Sequence, residues 1–259
     1  MDAKTGRDAR QATRHTQLSP PLRKAMQTRL ARSLVPELLD QLDGVSSDLL
    51  CANLRDIVRY NRLLGANRLM LQLVKKIVPM PYCGLDVGAG MGDFVHDALL
   101  AGDCSWVALD ASDDVLRCRD AARLSALEGC RESCSIAASG CSLPFFDAAF
   151  DVVTCSQTLH HLEPAKASAL LRECARVARR GVVVVDLNRS FITLIGAWML
   201  TRLTSRNRMT RADGVQSARR AYTPDEAIDL ARAAGWPITP NTVELHGPTR
   251  WSLQLRNVP

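Results

Sequence analysis

Residues Gly84–Phe94 read G-L-D-V-G-A-G-M-G-D-F, and this stretch decides the fold. Cys83 to Val87 is a short, mostly apolar run that predicts a buried strand. Gly88, Gly90 and Gly92 follow at every second position, and Asp93 and Phe94 open an amphipathic run to Leu100. A strand that turns sharply into a helix leaves free N–H groups at the helix start, and glycines let a ligand approach that backbone closely. Twenty-two residues after Gly88, a second apolar run, Trp106-Val107-Ala108-Leu109, ends in Asp110. A carboxylate at the tip of a second strand is placed to hold the two hydroxyls of a ribose. These features predict an adenosine-type ligand bound at the carboxyl ends of parallel strands.

The spacing separates the candidate ligands. A nicotinamide or flavin fingerprint needs a small residue where this chain has Asp93. The pattern here is instead D-x-G-x-G-x-G, with Asp86 two residues before the first glycine. This resembles motif I of the class I S-adenosylmethionine (SAM)-dependent methyltransferases. Further landmarks fall in that family's order. Leu143 to Val153, L-P-F-F-D-A-A-F-D-V-V, resembles the segment leading into the fourth strand. Thr154 to Leu162, T-C-S-Q-T-L-H-H-L, resembles that strand's exit over the cofactor. Arg176 to Gly181 and the valines that follow resemble the return into strand five. The resemblance covers residues 81–188 well and the flanks loosely, and it is nearest the small-molecule branch of quinone and polyketide methyltransferases.

The resemblance implies SAM as cofactor. It assigns Asp86, Gly88, Ala89, Gly90, Gly92, Asp110, Ala111, Ser139, Gly140, Cys141, Cys155, Ser156 and Gln157 to its binding. In one place the chain departs from the pattern. Where the family often has Asp-Ala before the Leu-Pro, with the Asp reaching the adenine amino group, this chain has Ser139-Gly140. A hydroxyl accepts that hydrogen bond without carrying charge.

Methyl transfer from a sulfonium needs alignment, exclusion of water and, for a hydroxyl acceptor, removal of a proton. His160 and His161 stand at the exit of strand four. His160 is expected to face the acceptor as a base and His161 to pack against the sheet, since imidazole titrates in the useful range. Some quinone O-methyltransferases carry E-x-x-E-H here; this chain has Gln157, His160 and His161, which lack two of those carboxylates, so no metal is expected. Methylation of nucleic-acid bases is disfavoured by the absence of prolines after strand four, in Thr154-Cys155-Ser156-Gln157.

The 259 residues suit one α/β domain, a Rossmann-like doubly wound sheet, mostly parallel with an antiparallel last strand, under an N-terminal helical lid. The expected organisation is a basic disordered tail over 1–34, a helical lid over 35–80, and a SAM-binding core over 81–259 with a lid insertion near 190–220. Residues 1–32 hold eight basic and two acidic side chains, which is the whole net charge of +6. Helices are expected over 35–42, 47–64 and 67–77. Phe191 to Leu203 reads as an apolar helix whose Ile192, Ile195, Trp198 and Met199 could line a greasy pocket, and 205–220 as a mobile loop. No apolar run is long enough to span a bilayer, and the N-terminus lacks the apolar segment of a secretory signal. Nine scattered cysteines without metal-ligand spacing suggest reduced thiols in a cytoplasmic protein, monomeric or dimeric.

The function expected is methyl transfer to a small hydrophobic or aromatic acceptor, at oxygen first and at carbon of a quinone or polyketide second. A catalytically silent SAM-binding regulatory or assembly protein is the alternative from another class.

Overall fold

The computed structural model describes residues 30–102, 104–125 and 134–256. Seven strands form one sheet in the order β3-β2-β1-β4-β5-β7-β6. They are β1 Tyr82–Val87, β2 Cys104–Asp110, β3 Cys134–Ala137, β4 Phe150–Ser156, β5 Ala178–Leu187, β6 Val243–His246 and β7 Arg250–Arg256. The first five run parallel, and β7 is antiparallel to both β5 and β6. Val182, Val183, Val184 and Val185 of β5 are completely buried. A strand covered on both faces reads as a continuous apolar run rather than an alternating one.

Among the described residues, eight α-helices surround the sheet: α1 Ser47–Leu63, α2 Ala66–Ile77, α3 Asp93–Leu100, α4 Asp113–Ser125, α5 Pro164–Val177, α6 Phe191–Thr204, α7 Arg208–Arg220 and α8 Pro224–Ala233. One face of the sheet is closed by α2 and α3, through Met70, Leu73, Val74, Phe94 and Val95. The other is closed by α5 and α8, through Leu170, Leu171, Leu230 and Trp236. The order of strands reverses direction between β1 and β4. In open α/β sheets the crevice at such a switch point, beyond the carboxyl ends of the strands, is where ligands bind. Here that crevice lies beyond Val87, Asp110 and Ser156.

Several local expectations are corrected. The helix expected over 35–42 is only a 3-10 turn, Leu38–Asp40, within an extended strap. The helix expected over 47–64 is α1, capped by Ser46, whose side chain accepts from the Leu49 amide. The loop expected over 205–220 is helix α7. Asn207 caps it by accepting from the Met209 and Thr210 amides, and the Asp213-Gly214 pair inside it has two tasks. Asp213 accepts the Leu38 and Leu39 amides of the strap, while a Cβ on Gly214 would meet Thr201 of α6 at 2.6 Å. The bareness of Gly214 thus permits a close helix crossing. Of the expected tail, residues 1–29 lie outside the described residues. Arg32 and Ser33 are docked: the Arg32 guanidinium donates to the carbonyls of His160, Leu162 and Arg220 and stacks 4.1 Å over Tyr222. The expectation of reduced thiols fails at Cys51 and Cys118, which form a disulfide joining α1 to α4; Cys130 lies outside the described residues.

Gly84 of β1 faces the Trp106 ring, and an added Cβ would stand 2.5 Å from it. Trp106 cannot retreat, because Tyr82 and Phe94 pack edge-on against it with centroids 5.8 and 5.1 Å away. Gly84→Ala is therefore expected to lower stability by about 1–3 kcal/mol through overpacking. The check is a lower urea midpoint at unchanged slope.

Candidate active site

The β1–α3 turn is built by three left-handed glycines, Gly88, Gly90 and Gly92, with φ of 72°, 52° and 70°. Their tasks differ. A Cβ on Gly88 would collide with Thr158 at 2.3 Å, and one on Gly92 with the Arg119 guanidinium at 2.6 Å, whereas one on Gly90 meets nothing within 4 Å. Gly90 thus faces open space at the crevice, and the other two allow neighbouring segments to close in. Asp110, at the tip of β2, accepts the Gly90 amide at 2.9 Å through one oxygen and the Ser112 amide at 3.0 Å through the other. It shapes the glycine turn and keeps lone pairs for a diol.

Asp86 is buried beneath the turn. Burial pushes its carboxyl up to about 7, against a 2.8 Å hydrogen bond from Thr154. Gln157, just beyond β4, adopts φ of 50°. Its amide donates to Asn61 of α1, and Asn61 and Asn67 in turn donate to Asp93 at 3.2 and 2.9 Å. Polar bonds thereby fasten the N-terminal helices to both sides of the crevice.

A continuous cavity of about 1350 Å³ occupies this crevice. Isolated small-molecule sites run to roughly 1000 Å³, so there is room for two molecules side by side. Of the residues assigned to the cofactor by resemblance, Asp86, Gly88, Ala89, Gly90, Asp110, Ala111, Ser139, Gly140, Cys141, Ser156 and Gln157 line it; Gly92 and Cys155 do not. Cys155 is fully buried in the core, and burial holds its thiol well above the usual range. Ser139 spends its hydroxyl oxygen on the Cys141 amide.

Both histidines line the cavity, yet the expected division between them does not hold. His160 is the buried one, 2% exposed. Its Nδ1 lies 2.7 Å from Asp186 at the end of β5, and its Nε2 lies 3.5 Å from Glu37 of the strap. His161 is partly open, not packed on the sheet, and its Nδ1 lies 2.7 Å from Asp40. The two rings sit 4.3 Å apart in the turn Leu159–His161. Arg220 of α7 joins the cluster by donating to Asp40 and to both histidine carbonyls.

Burial lifts the Glu37 carboxyl to about 7, although His161 and Ser217 act against it. Burial would also lift Asp40, but the bond and charge of His161, the Glu37 amide and Arg220 together bring it down to about 2. Glu37, His160 and His161 are spaced as metal ligands could be. His160 Nδ1 bonds Asp186, whereas Glu37 Oε1 is buried without a hydrogen-bond partner. His161 Nδ1 bonds Asp40, and that carboxylate also holds a guanidinium, so the cluster reads as a hydrogen-bonded latch.

Comparison with known proteins agrees with this geometry. Residues 85–185 match a family described as a methyltransferase domain. Demethylmenaquinone methyltransferases of Roseiflexus castenholzii and Mycolicibacterium vanbaalenii are each 29% identical over 236 and 238 residues, covering 85% and 83% of this chain and 89% and 95% of theirs. The matched domain, the relatives and the shared fold support a class I SAM-dependent methyltransferase. It is an enzyme of the small-molecule type, and its cofactor is SAM. The fold is shared with magnesium protoporphyrin IX methyltransferase from Synechocystis with bound SAM, at TM-score 0.55 and 13% identity over 85% of this chain and 95% of that one. A methyltransferase from Aquifex aeolicus aligns at TM-score 0.52 and 16% identity, over 72% and 88%. No helix among the described residues is long and apolar enough to cross a membrane.

In this methyltransferase the residues that sequence reasoning missed are Glu37, Asp40, Asp186 and Arg220. Only Asp186 left a signal, as a carboxylate ending an apolar parallel strand.

Two outcomes are expected. Asp110→Ala removes the Gly90 amide's acceptor together with any ribose contact, so S-adenosylhomocysteine should bind at least about tenfold more weakly by calorimetry. Glu37 gives a pH signature. Its folded pKa is raised, so its stabilising contribution is complete below about pH 4.5 and is lost as pH rises through about 7. That loss amounts to at most about 3 kcal/mol. Glu37→Gln, neutral throughout, should flatten the denaturant-stability profile across this window.

Proposed function

We propose that this methyltransferase transfers the SAM methyl group to a hydroxylated aromatic ring of the quinol kind. The observation that supports this reading is the mixed polar and apolar lining of the cavity. Its β1–β2 end is a polar cradle of glycine amides and Asp110. Leu39, Leu42, Ile57, Val58 and Leu200 add apolar lining to the same cavity. The histidine pair stands on the same cavity wall. A greasy ring carrying a hydroxyl fits that mixed lining.

The relatives named for demethylmenaquinone favour a ring carbon as the methyl acceptor, ahead of the oxygen that the sequence suggested. Either outcome begins with the hydroxyl. Its deprotonation gives a phenolate, which is nucleophilic at oxygen and at the adjacent ring carbons. In-line attack on the sulfonium methyl then releases S-adenosylhomocysteine; at carbon, loss of the ring proton restores aromaticity.

His161 is the better base of the two. With Nδ1–H given to Asp40, its Nε2 keeps a lone pair on a partly open ring. His160, held between Asp186 and Glu37, positions the turn that carries His161.

The test is incubation with methyl-labelled SAM and a 1,4-naphthoquinol bearing no methyl group on its quinone ring. Mass and NMR should locate one new methyl group on the ring carbon. His161→Ala should slow single-turnover transfer by roughly 10²-fold across pH 6–9 with S-adenosylhomocysteine affinity unchanged. A wild-type enzyme that binds SAM but methylates no hydroxylated aromatic would overturn the assignment. An unaltered rate in His161→Ala would dismiss the base.

A further inference from the structure

Helix α6 has two apolar faces. Thr193, Gly196, Ala197 and Leu200 look inward and line the cavity. The side chains expected to form a greasy pocket lie mainly outside it. Ile192, Ile195, Trp198 and Leu203 are 46%, 56%, 52% and 78% exposed. Ile192, Ile195 and Leu203 fall at helical spacing on one side. Leu63 and Leu64, at the end of α1, are 65% and 51% exposed, and that end bonds to the end of α6 through Tyr60 and Thr204. A monomer seldom leaves so much contiguous apolar surface in water without a use for it.

Charge says what covers it. Residues 188–212 contain five arginines and no acidic residue, and residues 59–68 contain three arginines and none. Arg62, Arg202, Arg206 and Arg208 are exposed. An apolar helix face with an indole at its middle and guanidinium groups at its edge suits the boundary between headgroups and acyl chains. At fourteen residues α6 is too short to cross a bilayer.

We infer that the outer face of α6, with Leu63 and Leu64, docks on an anionic lipid bilayer. Leu64 and Met199 are both half-exposed and cavity-lining, so the docking face borders the cavity. That the acceptor enters at this border rests on the proposed hydrophobic acceptor; the docking itself does not.

The molecule carries its own reporter. Of four tryptophans, Trp106, Trp236 and Trp251 are buried and only Trp198 is exposed. The full chain is mixed with vesicles of phosphatidylcholine alone, or of phosphatidylcholine with phosphatidylglycerol. Binding is read by co-sedimentation and by quenching of tryptophan emission with brominated acyl chains. Sedimentation is expected with the anionic vesicles, weakening as salt rises, and Trp198 emission should be quenched. The double variant Ile195→Glu, Leu203→Glu touches neither the cavity lining nor Trp198. It should bind those vesicles on the order of 100-fold more weakly, while melting and binding S-adenosylhomocysteine as wild type does.

Equal sedimentation of the variant would mean that the basic N-terminal segment alone carries binding, and would overturn the inference. So would an unquenched Trp198, equal binding to neutral vesicles, or a wild-type dimer in vesicle-free solution that the variant abolishes. Transfer to a water-soluble quinol without vesicles tests the proposed function separately.

Discussion

Asp186 is the constraint from which the acceptor side of the molecule follows. It ends β5 nearly fully buried, and among the described residues no lysine or arginine pairs with it. An ionised carboxylate in that position must be met by donors. Those donors are the Leu187 amide, the His160 amide and the His160 ring. Two of the three come from one residue. The turn Leu159–His161 is therefore clamped to the end of β5, and the direction of both imidazoles is set by a strand rather than by a loop. The other nitrogen of His160 then faces the strap, which draws Glu37 into a site with little water.

The remaining cluster follows from that placement. Asp40 holds His161, and Arg220 holds Asp40 together with the carbonyls of the same turn. Strap, α7 and β5 are thus joined by hydrogen-bonded groups, with Glu37 Oε1 left without a partner. Buried polar networks of this kind fix one arrangement because a half-satisfied alternative is costly. The strap is consequently held at the cavity by hydrogen bonds to titratable groups and not by apolar packing alone.

The cofactor half of the site was legible in the sequence because its parts are local. Glycines at every second position after a strand, and an acid at the end of the next strand, lie within 27 residues, and each has a single structural use. The buried β5 was legible for the same reason, through its run of valines. The acceptor half was not. Glu37 and His160 are separated by more than a hundred positions, and nothing in L-V-P-E-L-L-D marks Glu37 as buried. Asp213-Gly214 misled because the acid caps a distant segment, and the glycine serves a helix crossing rather than a turn. The burial of His160 and the openness of His161 were not foreseen because alternation along a strand was extended into a 3-10 turn, where it does not apply.

Helix α6 shows how one element can answer two solvents. Its inward positions hold mostly small residues, Thr193, Gly196 and Ala197, with Leu200, which leave volume for a ligand. Its outward positions hold the bulky Ile195 and Trp198. If packing on the core were the only demand, the large residues would face inward and the outer face would be polar, as in an ordinary amphipathic helix. The reversal means that the sequence keeps the cavity open at the expense of core packing, and leaves apolar area outside that water disfavours. The arginines that follow in Arg202, Arg206 and Arg208 balance that face with charge at its edge rather than across it. A helix arranged in this way gains stability from a second apolar phase, and it lies where the chain leaves β5, the strand whose terminal Asp186 fixes the histidine turn.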